Sequence, residues 1–175
     1  MKMEDTVLVN RLAESAIITI NLEDYFPKNE FVVFDIKEYL FQGLILKEKD
    51  FRESLKNLDW SVYSSKIVLV NCSTDAIIPL WAYMLVDAQL LGIATDSYHG
   101  TKEDYLKMHY RITLNKIQAT QYQDQRVVIK GCSQKPVPAY AYAYITTILK
   151  PYAQSIMFGE PCSTVPIFKR PRVIQ

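Results

Sequence analysis

The chain has 175 residues, 49% hydrophobic and 22% charged, a balance that suits one compact α/β domain spanning residues 1–175 with a buried core. Twenty Lys+Arg against 19 Asp+Glu leave a formal net charge of +1, so there is no global basic field to recruit nucleic acid. No run reaches the roughly 18 apolar residues of a membrane helix. The charged start Met1-Lys2-Met3-Glu4-Asp5 lacks an apolar signal core, so the expected location is the cytoplasm, without a membrane partner.

Residues 1–12 read as a short helix or arm. Ala16-Ile17-Ile18-Thr19-Ile20 is β-branched and reads as a strand, and Phe31-Val32-Val33-Phe34-Asp35-Ile36 as a second. Leu44-Ile45-Leu46 reads as a third, set off by a turn or bulge at Gly43. Phe51, Leu55 and Leu58 recur at i, i+4 and i+7, which predicts an amphipathic helix over 48–58.

From Lys66 the pattern changes to short continuous apolar runs separated by longer helical segments. Such runs suit strands buried on both faces, as in a parallel sheet. Strands are expected at 67–70, 93–95, 127–130 and 155–158, and helices over 76–91, 102–119 and 137–149. This β-α-β-α-β-α-β order predicts a mainly parallel sheet with right-handed crossovers and helices on both faces. The N-terminal strands would add to it antiparallel or as a flanking layer. The tail Lys169-Arg170-Pro171-Arg172 reads as a solvated, frayed terminus.

All three cysteines stand before a serine and after an apolar run: Asn71-Cys72-Ser73, Gly131-Cys132-Ser133 and Pro161-Cys162-Ser163. The first two phrases belong to a longer echo. Lys66-Ile67-Val68-Leu69, Pro79 and Ala82-Tyr83 are answered by Arg126-Val127-Val128-Ile129, Pro138 and Ala141-Tyr142, and the cysteines lie 132 − 72 = 60 apart. Duplication explains the echo, and so do shared helix-start rules, since proline is favoured early in helices.

In an open parallel sheet, loops after the strands share one edge, where ligands bind. Cys72, Cys132 and Cys162 would then meet there, with His99 from the loop Asp96-Ser97-Tyr98-His99-Gly100. Three thiolates and an imidazole are a tetrahedral zinc set, and three cysteines with another ligand can hold an iron–sulfur cluster. Asp75, Asp96 and Glu160 are nearby alternatives. Ser73, Ser133 and Ser163, with adjacent N–H groups, would orient the sulfurs. The N–H groups behind Ser73 and Ser133 also suit an anion. Without metal, Cys72 and Cys132 precede helix starts, where a thiolate is favoured, and Cys132 is the candidate for sulfur or acyl transfer. A third reading is a non-catalytic interaction domain with structural cysteines, and under every reading association into a homo-oligomer stays open. His109 and the tyrosines of Tyr140-Ala141-Tyr142-Ala143-Tyr144 read as packing residues. Nucleotide-loop, zincin, nucleophile-elbow and EF-hand signatures are absent.

Phe34-Asp35-Ile36-Lys37, Phe41-Gln42-Gly43-Leu44-Ile45-Leu46, Trp81-Ala82-Tyr83-Met84, Lys130-Gly131-Cys132-Ser133 and Phe158-Gly159-Glu160-Pro161-Cys162-Ser163-Thr164-Val165-Pro166 together resemble an uncharacterised bacterial domain-of-unknown-function family. The resemblance covers nearly the whole chain and brings no established activity. Genes of that family often lie near iron–sulfur assembly genes. The resemblance therefore implies an accessory role in iron or sulfur handling, with iron–sulfur assembly proteins as partners.

Overall fold

The computed structural model describes residues 17–131 and 133–171. The expected arm at 1–12, Cys132 and Arg172 lie outside them. The elements run β1 (Ile17–Asn21), β2 (Phe31–Asp35), α1 (Glu48–Asn57), β3 (Ile67–Asn71), α2 (Leu80–Leu90), β4 (Asp96–His99), α3 (Lys102–Leu114), β5 (Arg126–Lys130), α4 (Ala139–Leu149), β6 (Ser155–Glu160) and β7 (Ser163–Lys169). Among the described residues no helix is long and apolar enough to cross a membrane.

The chain divides into two compact units, residues 27–106 and residues 1–26 with 107–175. Each has its own sheet. The first is ordered β2-β3-β4 and is parallel throughout. The second is ordered β1-β5-β6-β7, parallel except for the β6–β7 pair. The mainly parallel α/β expectation holds, as do the strands and helices from Lys66 onward to within a few residues. The N-terminal strands are parallel, β1 to β5 and β2 to β3, and the antiparallel pair lies at the other end of the chain.

Three local expectations are corrected. Leu44-Ile45-Leu46 is not a strand: Gln42 and Gly43 take φ of 52° and 70° and reverse the chain, so that Phe41 and Ile45 bridge antiparallel. The strand expected at 93–95 begins only at Asp96, because the N–H groups of Ile93 and Ala94 close the end of α2 on the Leu90 carbonyl, both at 3.0 Å. The basic tail is not frayed as far as Arg170. That guanidinium bonds Asp124 at 2.7 Å and the carbonyls of Pro151 and Tyr152 at 2.8 and 2.9 Å. β7, unforeseen because Pro166 interrupts it, is the edge strand, where a missing N–H is tolerated.

The unit 27–106 has an aromatic core. The Phe34 ring stacks on Tyr39 and Trp60 at 5.3 and 5.7 Å, and Phe51 meets Tyr39 edge-on at 5.3 Å. The amphipathic spacing of α1 delivers Phe51 and Leu55 to this core, as its sequence predicts. Ala82, Val86 and Leu90 come to it from α2, at i, i+4 and i+8. In the other unit, Tyr110, Leu114, Ala141, Ile145 and Leu149 are fully buried, and Tyr110 Oη donates to the Leu22 carbonyl at 2.9 Å.

The two units are built to one plan. β3 and β5, α2 and α4, and the 3-10 turns Trp60–Tyr63 and Ala119–Tyr122 lie 59 residues apart (126 − 67, 139 − 80, 119 − 60). The same register superposes buried Phe51 on Tyr110, Leu55 on Leu114, Ala82 on Ala141 and Val86 on Ile145. It also matches left-handed Ser65 with Asp124, at φ 59° and 56°. Their N–H groups bond the carbonyls of Ile93 and Tyr152, which are again 59 apart. Agreement down to single hydrogen bonds is more than two βα units obeying common helix-start rules would give. The echo in the sequence is an internal repeat. In this register Cys72 answers to Gly131, so the 60-residue spacing of the cysteines is one residue out of step.

Candidate functional site

β3 ends at Asn71, and Cys72 opens the loop to α2. Val70 pairs in register with His99, the last residue of β4. Register partners point to the same face of a sheet, and so does the residue two further along an extended strand. Val70 belongs to the core cluster beneath α2, and half-buried Cys72 packs against that cluster. His99 and Cys72 are thus both delivered to the α2 side of the carboxyl edge of the sheet.

α2 supplies the rest. Asp87 Oδ2 lies 2.9 Å from His99 Nε2. Tyr83, one turn earlier, packs its ring at 4.9 Å from the imidazole. Burial raises the Tyr83 phenol above 10.0, and the neighbouring Cys72 thiol adds to the rise. An imidazole that donates Nε2–H to a carboxylate keeps its lone pair on Nδ1. The other carboxylate oxygen, Asp87 Oδ1, is buried without a hydrogen-bond partner among the described residues. The arrangement is a thiol, a phenol and a carboxylate-oriented base on one face of one sheet.

The repeat gives an internal comparison. The positions of Tyr83, Asp87 and His99 are taken in the other unit by Tyr142, Thr146 and Phe158. The ring pair is kept, Tyr142 meeting Phe158 edge-on at 5.5 Å, but the ionisable pair is not. There the same place is an apolar groove of about 540 Å³ lined by Ile129, Tyr142, Thr146, Met157, Phe158 and Ile167. The fold can therefore be built without a charge at these positions. The Asp87–His99 pair is an addition that packing does not require.

The loops after β3 and β5 were expected to turn their N–H groups toward sulfur or a bound anion. They turn them toward the chain's own carboxylates. Glu23, only 7% exposed, receives on Oε1 the N–H groups of Ser133 at 2.5 Å and Gln134 at 2.8 Å, and the Ser133 hydroxyl at 3.0 Å. The bond from Gln134 contributes most to holding its carboxyl below the ordinary 4.5, against the opposing pull of burial. Asp35 plays a similar part, accepting from the N–H groups of Ser73 and Lys37, both at 3.0 Å. Burial pulls Asp35 upward, but the bonds from Ser73 and Lys37 together outweigh it and leave the carboxyl below 3.8. These are internal anions in loops shaped for an anion.

Of the other expected residues, Cys162 is exposed in the two-residue turn between β6 and β7, and Ser163 starts β7 opposite Glu160. Asp96 accepts from the Tyr105 hydroxyl at 3.0 Å. His109 Nε2 lies 3.0 Å from the Tyr25 carbonyl, a packing role as expected. Tyr140 and Tyr144 stack at 5.5 Å, as their spacing predicts. Cys132, the middle member of the expected ligand set, lies outside the described residues. Among the described residues no three His, Cys, Asp or Glu side chains are grouped to hold a metal ion. Sequence reasoning missed Tyr83, Asp87, Glu23 and Asp35. For Asp87 there was a signal: it is the one charge in the helix Leu-Trp-Ala-Tyr-Met-Leu-Val-Asp-Ala-Gln-Leu.

A family model described as "Protein of unknown function (DUF2480)" matches residues 6–170, and the chain belongs to that family. No curated protein and no solved structure matches it.

Proposed function

We propose that this DUF2480 member is a cytoplasmic accessory protein whose working group is the Cys72 thiol, served by His99 and Asp87, in sulfur or acyl transfer. The observation that carries this reading is the 2.9 Å Asp87–His99 contact on the sheet face that also receives Cys72. The thiol proton passes to His99 Nδ1. Cys72 Sγ forms a bond to the electrophilic carbon or sulfur of the substrate, and the leaving group departs with the bonding electron pair and takes the proton back from the imidazolium. Asp87 holds the ring in the tautomer this needs and steadies the imidazolium. Tyr83 covers the ring and limits its rotation.

The test is timed alkylation of native protein at neutral pH, read by peptide mass spectrometry. His99→Ala should slow labelling of Cys72 by about 100-fold or more, the scale of a lost general base, Asp87→Asn should slow it by less, and both should leave Cys162 unchanged. Equal Cys72 rates in wild type and both variants would remove the reading.

A second reading has one specific observation behind it. β5 and β6 are parallel neighbours, and the Lys130–Glu160 ion pair at 3.2 Å ties their carboxyl ends, just before Cys132 and Cys162 in the sequence. Metal ion or iron–sulfur binding by the cysteines, with iron–sulfur assembly proteins as partners, would use that edge. Zinc, or iron with acid-labile sulfide, in protein purified without oxygen or an affinity tag would support it. Protein that is folded, active and metal-free would end it.

A further inference from the structure

We propose that the cleft between α1 and α2, within the unit 27–106, binds a small aromatic carboxylate. The cleft holds a cavity of about 230 Å³ lined by Arg52, Leu55, Lys56, Trp60, Leu85 and Gln89. Leu55, Trp60 and Leu85 make its apolar part, and its two charged lining side chains, Arg52 and Lys56, are both cations. They stand at i and i+4 and so share one face of α1. The volume is below the roughly 300–1,000 Å³ of sites for drug-sized molecules, which limits the occupant to about one ring.

The internal repeat supplies a ring at the corresponding place. In its register Arg52, Lys56, Leu85 and Gln89 answer to Arg111, Asn115, Tyr144 and Ile148. There the chain brings its own aromatic group: the ring of half-buried Tyr144 lies 5.8 Å from the Arg111 guanidinium, and its hydroxyl donates to Asn115 Oδ1 at 2.6 Å. In the unit 27–106 the arginine is kept, but Leu85 has no ring to offer it. A guest ring takes the place that Tyr144 takes in the other repeat, beside the Arg52 guanidinium, and cation–π attraction favours that arrangement.

Two further differences between the repeats set the chemistry of the ring's substituent. Asn115 accepts a phenolic proton, whereas the ammonium group of Lys56 only donates and calls for an acceptor, best an anion. Gln89 in place of Ile148 adds an amide donor to the lining. The indole N–H of Trp60 is committed to the Leu55 carbonyl at 2.8 Å, so Trp60 contributes apolar surface and no hydrogen bond. Arg52 Nε is engaged by Glu48 at 2.9 Å. A ring meets the flat face of a guanidinium rather than its N–H edge, so that ion pair and the guest ring are compatible. A carboxylate on the ring then sets its charge at Lys56 and Gln89. The site does not depend on any chemistry at Cys72.

The test is titration of the full chain with benzoate, followed by heteronuclear NMR, in which the Trp60 indole N–H reports from the cavity. The expected result is a saturable shift with a Kd of about 1 mM or tighter, within reach of a ligand of this size. Lys56→Gln should weaken binding about tenfold, the scale of a lost hydrogen bond to a charged group. Leu85→Tyr, which supplies the ring from the chain as Tyr144 does, should abolish it. Cyclohexanecarboxylate, equal in charge but without a π face, should bind about threefold more weakly or worse. No saturation up to about 10 mM overturns the inference, and so does benzoate binding unchanged in either variant, or cyclohexanecarboxylate binding as well as benzoate. Lys56 is exposed, so its replacement leaves the fold intact and decides the matter even where Leu85→Tyr fails to fold.

Discussion

At the scale of the residue, the carboxylates inside the two loops make a prediction about pH. Glu23 and Asp35 both sit below their ordinary values of 4.5 and 3.8 when the chain is folded. A carboxyl with a depressed folded value stabilises fully above its unfolded value and loses that contribution as pH falls through the folded one. Stability against urea should therefore be flat near neutrality and fall below pH 4.5. Glu23→Gln should lower stability at pH 7, and the gap to wild type should close on acidification. A gap that widens in acid would contradict the role given to Glu23. A second case is buried and neutral. Tyr110→Phe leaves the Leu22 carbonyl without its donor and should cost about 1 kcal/mol in urea unfolding. Neither carboxylate was legible in the sequence. Glu23 and Ser133 are 110 residues apart, and no local pattern links an acid after one strand to the loop after another.

At the scale of the element, the sequence was most legible where one period governs. The continuous apolar runs of β3 and β5 and the i, i+4 spacing of α1 located those elements, because burial on two faces or on one stripe dictates the pattern. Boundaries failed where hydrogen bonding decides instead, as at Ile93 and Ala94, which are apolar enough for a strand but close a helix. The β6–β7 hairpin failed for a different reason, since proline lowers strand expectation unless an edge is known. Its geometry carries a prediction. Gly159 has φ 118°, and an added Cβ would lie 2.5 Å from the Ser163 carbonyl oxygen. Gly159→Ala should cost about 2 kcal/mol or more, mostly as strain in the turn that holds Cys162. In the aromatic core, Phe51→Ala should cost about 3–5 kcal/mol, the range for emptying a fully buried ring site. Denaturant midpoints of both variants check these values.

At the scale of the whole molecule, the duplication was visible in outline and misaligned in detail. Matching Cys-Ser with Cys-Ser gives 60 residues; matching strands, helices and buried side chains gives 59. The identity of two eye-catching residues outweighed the period of the fold, so Cys72 and Cys132 looked equivalent when Cys72 answers to Gly131. Strand order was illegible for a physical reason: it depends on which strands meet in space, and β1 and β2, only a short turn apart in sequence, join different sheets. The plan of the repeat gives a prediction of its own. Residues 27–106 are contiguous and contain the core from Phe34 to Leu90. That segment alone should fold and unfold cooperatively on heating, followed by circular dichroism; a non-cooperative melt would mean that its core does not suffice.

The central claim is that one thiol differs from the others because of its neighbours. Competitive labelling of the three cysteines in native wild-type protein at neutral pH tests it most directly. Exposure alone places Cys162, in its open turn, ahead of half-buried Cys72. The Asp87–His99 pair predicts the reverse, with Cys72 labelled first. Cys162 labelled first, with Cys72 silent until the protein is denatured, would contradict the account.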